Sequence, residues 1–262
     1  MTASDRDRRD RPLRGQCVLV TRPGEQSQDL RERLIELGAD VLVQPGVTIG
    51  DPPDWAPVDA ALARLDQFDW LVFSSSNGVR YLIGRLLQLG GKVEQLGRLD
   101  LAAIGPGTAA ELARCGLHAR IVPEQFRAES LADALAADAP GRRFLLARAN
   151  RGRQVLPDQL AAAGAAVHQI VVYSTRDVQR LEPDVAAAIE AGRIDWITVT
   201  SSSIARAVVA LLGDRLRRSK LVSISPLTSG VLRESGYEPA AEAKQYTTTG
   251  LIDAIVDASP PA

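Results

Sequence analysis

Seven clusters of hydroxyl, amide and guanidinium side chains recur along the chain: Thr21-Arg22-Pro23, Ser74-Ser75-Ser76-Asn77, Gly105-Pro106-Gly107-Thr108, Arg148 to Arg153, Thr200-Ser201-Ser202-Ser203, Ser225-Pro226-Leu227-Thr228 and Thr247-Thr248-Thr249. A hydroxyl at a helix start accepts a hydrogen bond from a free backbone N–H, which contributes about 1 kcal/mol and accounts for any single Ser, Thr or Asn by capping alone. The arginines need more than capping. Arg22, Arg148, Arg151 and Arg153 stand where apolar runs give way to turns. Guanidinium groups beside helix N-termini suit a ligand with carboxylates or phosphates, although each could also be a solvated charge.

Several chemistries lack their central residues. The two histidines, His118 and His168, sit in no HExxH or Cys-flanked setting and read as ordinary surface or boundary residues, so no metal site is expected. Cys17 and Cys115 have no CxxC spacing and read as small apolar residues in a reducing compartment. Neither a GxSxG elbow nor a GxxxxGK[ST] loop is present. One competing motif remains: Gly105-x-Gly107-x-x-Ala110 follows an apolar run, opens a helix pattern and has Glu124 further on, as a dinucleotide site requires.

The elements that must position these clusters follow from hydrophobic spacing. The runs Cys17–Val20, Leu71–Phe73, Leu101–Ile104, Phe144–Ala147, Trp196–Val199 and Leu221–Ile224 suit strands buried on both faces of a parallel sheet. Helical patterns lie between them, such as Leu30, Leu34, Leu37 and Leu156, Leu160, Ala163, closed by Gly38 and Gly164 as C-caps. A shift of 126 superimposes Gly15 on Gly141, Arg22 on Arg148, Leu30 on Leu156, Gly38 on Gly164 and Asp69-Trp70 on Asp195-Trp196. A shift of 120 then aligns Pro106 with Pro226, Thr108 with Thr228, Leu112 with Leu232, Gly116 with Gly236 and Leu131 with Leu251.

The chain is therefore a duplicated α/β protein whose unit is a doubly wound parallel sheet of flavodoxin-like type. The duplication also weakens the dinucleotide motif, because Ser225-Pro226-Leu227-Thr228 keeps the Pro and Thr of its copy and loses both glycines. Val41–Ile49 and Val167–Thr175 are long extended segments at equivalent positions, suited to linking two globules as a two-stranded connector.

With 262 residues and 45% hydrophobic content the chain can fill about two ordinary cores. Its 31 basic and 32 acidic residues leave a formal charge of −1, which supplies no global field for nucleic acid or an anionic membrane. Met1 to Arg14 mixes Arg and Asp without an apolar stretch and reads as a disordered tail rather than a signal peptide. Residues 258–262 read as a frayed end. No apolar run approaches the roughly 20 residues that span a bilayer, so a cytoplasmic protein is expected.

Five segments, Val18-Leu-Val-Thr-Arg-Pro23, Asp69-Trp-Leu-Val-Phe-Ser-Ser-Ser-Asn-Gly-Val79, Ala103-Ile-Gly-Pro-Gly-Thr108, Val172-Tyr-Ser-Thr175 and Ser223-Ile-Ser-Pro-Leu-Thr228, resemble the uroporphyrinogen-III synthase family, collinearly from Gly15 to Asp257. The resemblance implies two flavodoxin-like domains, 15–39 with 177–257 and 52–166, joined by a β ladder of residues 40–51 and 167–176. It implies closure of hydroxymethylbilane to uroporphyrinogen III, with loss of water, inversion of the terminal pyrrole and no cofactor. The active site is expected where the strand-end loops of the two copies meet.

Residue by residue, the resemblance implies Tyr173 as hydrogen-bond donor or acid and Thr228 as a second catalytic group, with Thr108 as its copy. Ser75, Asn77, Arg153, Ser201 and Ser202 match substrate-binding positions, although Asn77 stands where some members carry a basic residue. Arg22, Arg148 and Thr249 join them from their strand-end positions. The expected partner is the small-molecule polycarboxylate, with no nucleic acid or membrane and possible transient contact with the preceding pathway enzyme. A monomer is expected, since no heptad pattern points to obligate assembly. Two other readings stay open: a dinucleotide-dependent oxidoreductase using Gly105-x-Gly107, and a two-lobed binding or sensor module.

Overall fold

The computed structural model describes residues 11–259. The chain begins β1 (Cys17–Val20), α1 (Gln28–Glu36), β2 (Asp40–Val43), β3 (Val47–Gly50), α2 (Ala56–Leu62), β4 (Trp70–Phe73), α3 (Ser76–Gln88), β5 (Asp100–Ala103), α4 (Pro106–Arg114) and α5 (Ala128–Leu135). It continues β6 (Arg143–Ala149), α6 (Val155–Ala162), β7 (Ala166–Asp177), α7 (Pro183–Glu190), β8 (Trp196–Val199), α8 (Ser202–Leu212), β9 (Lys220–Ser223), α9 (Pro226–Glu234), β10 (Ala241–Glu242) and α10 (Thr248–Ala258).

Two compact units result, one taking the chain up to Thr48 and from Arg176 onward, the other Ile49–Thr175. The first unit's sheet has the order β10-β9-β8-β1-β2, with parallel pairing throughout. Counted along that unit's own strands, this is the 2-1-3-4-5 order of the flavodoxin-like fold. In the second unit the order is β3-β7-β6-β4-β5, extended beyond β5 by a parallel bridge from Ala102 to Ile121.

The two sheets repeat one register. Val18 pairs with Val41 and Trp196, and Phe144, its copy at an offset of 126, pairs with Val167 and Trp70. Asp195 Oδ2 accepts from Cys17 N at 2.8 Å, and its copy Asp69 Oδ2 accepts from Arg143 N at 2.8 Å. Strand residues alternate between two cores because side-chain direction has period two. Leu19, Ile197 and Leu221 face one, while Val18, Val20, Trp196 and Val222 face the other. The second unit divides likewise, with Leu71, Phe73 and Leu145 against Trp70, Val72, Phe144 and Leu146.

Gly38 and Gly164 end α1 and α6 with φ of 91° each, a conformation that penalises any side chain. In both, the next N–H returns to the helix: Ala39 N donates to Leu34 O and Ala165 N to Leu160 O, each at 3.0 Å.

Two boundaries differ from the sequence reading. Within residues 40–51, Asp40–Val43 pairs with β1 inside the first sheet, and Val47–Gly50 is the part that lies beside β7. Pro45 separates them, since it has no N–H to continue a ladder. The expected tail lies outside the described residues up to position 10 and, at the other end, for 260–262. Leu13, also assigned to that tail, is fully buried with Leu30 and Leu34, and its N–H donates to Leu37 O at 3.0 Å.

Candidate active site

In the second unit the loop after β4 meets β7. Ser75 is the N-cap of α3 in extended conformation, and its Oγ accepts from Gly78 N at 3.1 Å. The same Oγ lies 3.0 Å from the hydroxyl of Tyr173 on β7, which the Asn77 side chain also hydrogen-bonds. Gly78 permits this approach, since a Cβ there would stand 3.2 Å from Ala147 O of β6.

Tyr173 is 8% exposed, and its ring packs against Tyr81 with centroids 5.7 Å apart. Burial pushes its hydroxyl pKa up, outweighing the lowering by Ser75 and Asn77. Tyr173 therefore keeps its hydroxyl proton through the neutral range. Tyr81 was not singled out from sequence, yet it lies four residues after Asn77, a spacing that puts both on one face of α3.

The arginines after β6 differ in how they are held. Arg153 is paired with both carboxylate oxygens of Glu129 in the first turn of α5, and the Glu129 carboxyl is held below its ordinary pKa chiefly by that hydrogen bonding. Arg148 instead donates to neutral oxygens: Gln154 Oε1 at 3.2 Å, Gln169 Oε1, and the carbonyl of Arg153 at 3.2 Å. Thr108 is buried in the first turn of α4, its N–H donating to Gly105 O at 3.1 Å. A Cβ on Gly105 would meet the Phe126 side chain at 3.1 Å, which accounts for that glycine by packing, without a pyrophosphate.

In the first unit Ser201 caps α8, accepting from Ile204 N at 3.2 Å, and its hydroxyl lies 3.0 Å from that of Ser203. The hydroxyl oxygens of Thr200 and Ser202 are buried without a protein partner. Ser225 caps α9 through Thr228 N at 3.4 Å and lies 3.1 Å from Thr228 Oγ1. Thr228 is only 2% exposed, its hydroxyl engaged within that cap. Thr249 Oγ1 accepts from Arg33 Nη1 at 2.9 Å, a guanidinium not foreseen from sequence because it comes from α1. Arg22 follows β1 and is half-buried.

The structure thus brings Ser75, Asn77 and Tyr173 together, and Arg148 with Arg153, in the second unit. Arg22, Ser201, Ser202, Thr228 and Thr249 belong to the first. Gln154, Gln169 and Glu129 were missed, since nothing in their local sequence says which guanidinium they meet.

Fold and side-chain chemistry define a class: a duplicated flavodoxin-like α/β protein whose strand-end loops carry hydroxyls and guanidinium groups, with a buried tyrosine on β7. The family model described as uroporphyrinogen-III synthase HemD matches residues 28–253. The uroporphyrinogen-III synthase of Synechococcus elongatus is 31% identical over 259 residues, covering 94% of this chain and 96% of that protein. A putative uroporphyrinogen-III synthase of Methanothermobacter thermautotrophicus is 30% identical, covering 91% and 96%.

Among solved structures, a mutant uroporphyrinogen III synthase from Thermus thermophilus shares the fold with a TM-score of 0.67 at 18% identity, covering 93% of this chain and 98% of that one. Uroporphyrinogen-III synthetase from Helicobacter pylori does so at 0.63 and 16%, covering 92% and 99%. The chain belongs to the uroporphyrinogen-III synthase family, cyclising hydro-lyases of tetrapyrrole biosynthesis. Among the described residues no helix is long and apolar enough to cross a membrane.

Proposed function

We propose that this chain closes hydroxymethylbilane to uroporphyrinogen III, releasing the substrate's hydroxyl as water and inverting the terminal pyrrole. The substrate is electron-rich and its hydroxymethyl group leaves readily, so holding the chain in a productive fold contributes more than acid–base chemistry. In the second unit Arg148, Arg153 and Thr108, and in the first Arg22, Ser201, Ser202 and Thr249, are the strand-end groups proposed to contact the polycarboxylate. Helix N-termini favour its anionic groups.

The observation that carries the catalytic assignment is the buried, protonated hydroxyl of Tyr173, held by Ser75 and Asn77 beside the start of α3. It donates a proton to the departing hydroxyl, which leaves as water. For the terminal pyrrole to invert, its substituted α-carbon takes the new bond, the bond from that carbon to the preceding methylene bridge breaks, and the bridge re-forms on the pyrrole's free α-carbon, whose hydrogen leaves as a proton, so that only water is lost overall. Thr228, tied to the Ser225 cap, acts by holding the α9 start against the substrate.

The reading includes a monomeric, cytoplasmic enzyme that uses no metal, nucleotide or organic cofactor and takes its substrate by transient contact with the preceding enzyme. Sedimentation at micromolar concentration checks the monomer. Conversion of fresh hydroxymethylbilane by the purified chain alone, followed by chromatography of the oxidised products, tests the function. Type III uroporphyrin is expected, and a requirement for an added cofactor would overturn the cofactor-free mechanism.

A further inference from the structure

We propose that Gln154 and Gln169 are positioning residues that hold Arg148 as an uncompensated cation, reserved for one ionised carboxylate of the substrate. The inference rests on the function proposed above and names the residues that tune its anion binding.

Charge compensation separates Arg148 from several arginines of its unit, and although Arg64, Arg127 and Arg143 also donate to neutral oxygens, none of them is held by two side-chain amides. In the same unit Arg153 pairs with Glu129, Arg85 with Asp59, Arg120 with Asp100, Arg142 with Asp69, and both Arg80 and Arg114 with Glu111. The partners of Arg148 are two side-chain amides and a backbone carbonyl. These satisfy three of the five guanidinium N–H donors without cancelling the charge, leaving the Nε–H and one Nη2–H for a ligand. Burial alone pulls the Arg148 pKa down, with no carboxylate pushing it back up. The group still stays cationic, because a guanidinium does not deprotonate in a protein.

The surroundings are shaped to the guanidinium. Arg148 and Leu146 share one face of β6, as Gln169 and Val167 share one face of β7, so Gln169 reaches Arg148 from the adjacent strand. Gln154 reaches it from the N-cap of α6. Gly152, at φ 155°, closes the loop so tightly that a Cβ would stand 2.8 Å from Arg148 Nη2. The other copy of the unit folds without this cradle. At the same offset of 126, Arg22 has Gln28 and Val43 in place of Gln154 and Gln169, and Gln28 is hydrogen-bonded to Glu32. Gln28 keeps the amide of Gln154 but is turned to Glu32, and Gln169 has no amide counterpart, so the two-amide cradle is not a requirement of the frame.

Gln154→Glu separates a charge role from a packing role. Gln154 is exposed at a helix start, where an acidic side chain favours the helix dipole, so the melting temperature should hold or rise. KM for hydroxymethylbilane should nonetheless rise about tenfold, with kcat changed less than about twofold, because charge-assisted hydrogen bonds exceed neutral ones by roughly that margin. Gln169→Glu should do the same, and Gln169→Leu should raise KM by only about threefold, having removed a strut without adding charge. Unchanged KM in both Glu variants, with type III product still formed, overturns the positioning role. Wild-type protein that yields only type I product would sink the underlying function instead.

Discussion

The two copies share a frame and diverge in what the frame carries. Asp69 and Asp195 brace the same strand start, Ser75 and Ser201 cap the same helix, and Gly38 and Gly164 close the same turn. Where the second unit has Tyr173, the first has Val47, buried in its core. Where the second has Glu129 locked to Arg153, the first has Thr249 and Ser27. Positions that satisfy backbone groups were kept by both copies, and positions facing the strand-end loops were free to specialise. On the function proposed above, Tyr173 gives proton donation to the second unit alone, since Val47 stands in its place in the first.

Tyr173→Phe removes the hydroxyl that only the second unit has and keeps the ring packed on Tyr81. It should lower kcat roughly 10²-fold, the lower end for a positioned general acid, as measured by initial rates of type III formation. Unchanged kcat would reduce Tyr173 to the same packing role that Val47 has.

A second break targets Glu111, whose side chain is 10% exposed and whose carboxylate receives Arg80 and Arg114. Its copy in the first unit is Val231. Hydrogen bonding from Arg80 is the largest cause holding the Glu111 carboxyl below its ordinary pKa. A depressed carboxyl contributes stability that is complete above its unfolded value of about 4.3 and is lost as pH falls through the folded value. Glu111→Gln should cost about 2 kcal/mol near neutral pH, a figure reduced because the Arg80 side chain is 40% and the Arg114 side chain 69% exposed. Denaturant melts should show that cost shrinking below about pH 4.

Ser75→Ala and Ser201→Ala remove the same cap from the two units. Each should cost about 1 kcal/mol through its lost helix cap. Ser75→Ala should also raise the Tyr173 pKa, since that hydrogen bond lowers it, whereas Ser201→Ala should leave it in place. Ultraviolet titration of tyrosinate distinguishes the two.

The frame was readable in the sequence because local rules write it. Gly38 and Gly164 mark αL turns, Ser75 and Ser201 mark caps, and one pair of offsets relates both sheets. The long extended pattern of 40–51 concealed that β2 and β3, on either side of Pro45, join different partners. Leu13 was hidden by the charged residues around it. The site was less legible, since charge compensation is a long-range property. Arg153 reads as a substrate contact until its pairing with Glu129 is seen, while the amide partners of Arg148 show only in the folded chain.

The most direct test of the account follows product isomers from fresh hydroxymethylbilane, with wild type and Tyr173→Phe side by side. Type III uroporphyrinogen from both, formed roughly 10²-fold more slowly by the variant, is the predicted result. Type I isomer alone from the wild-type chain, as arises without enzyme, would contradict it.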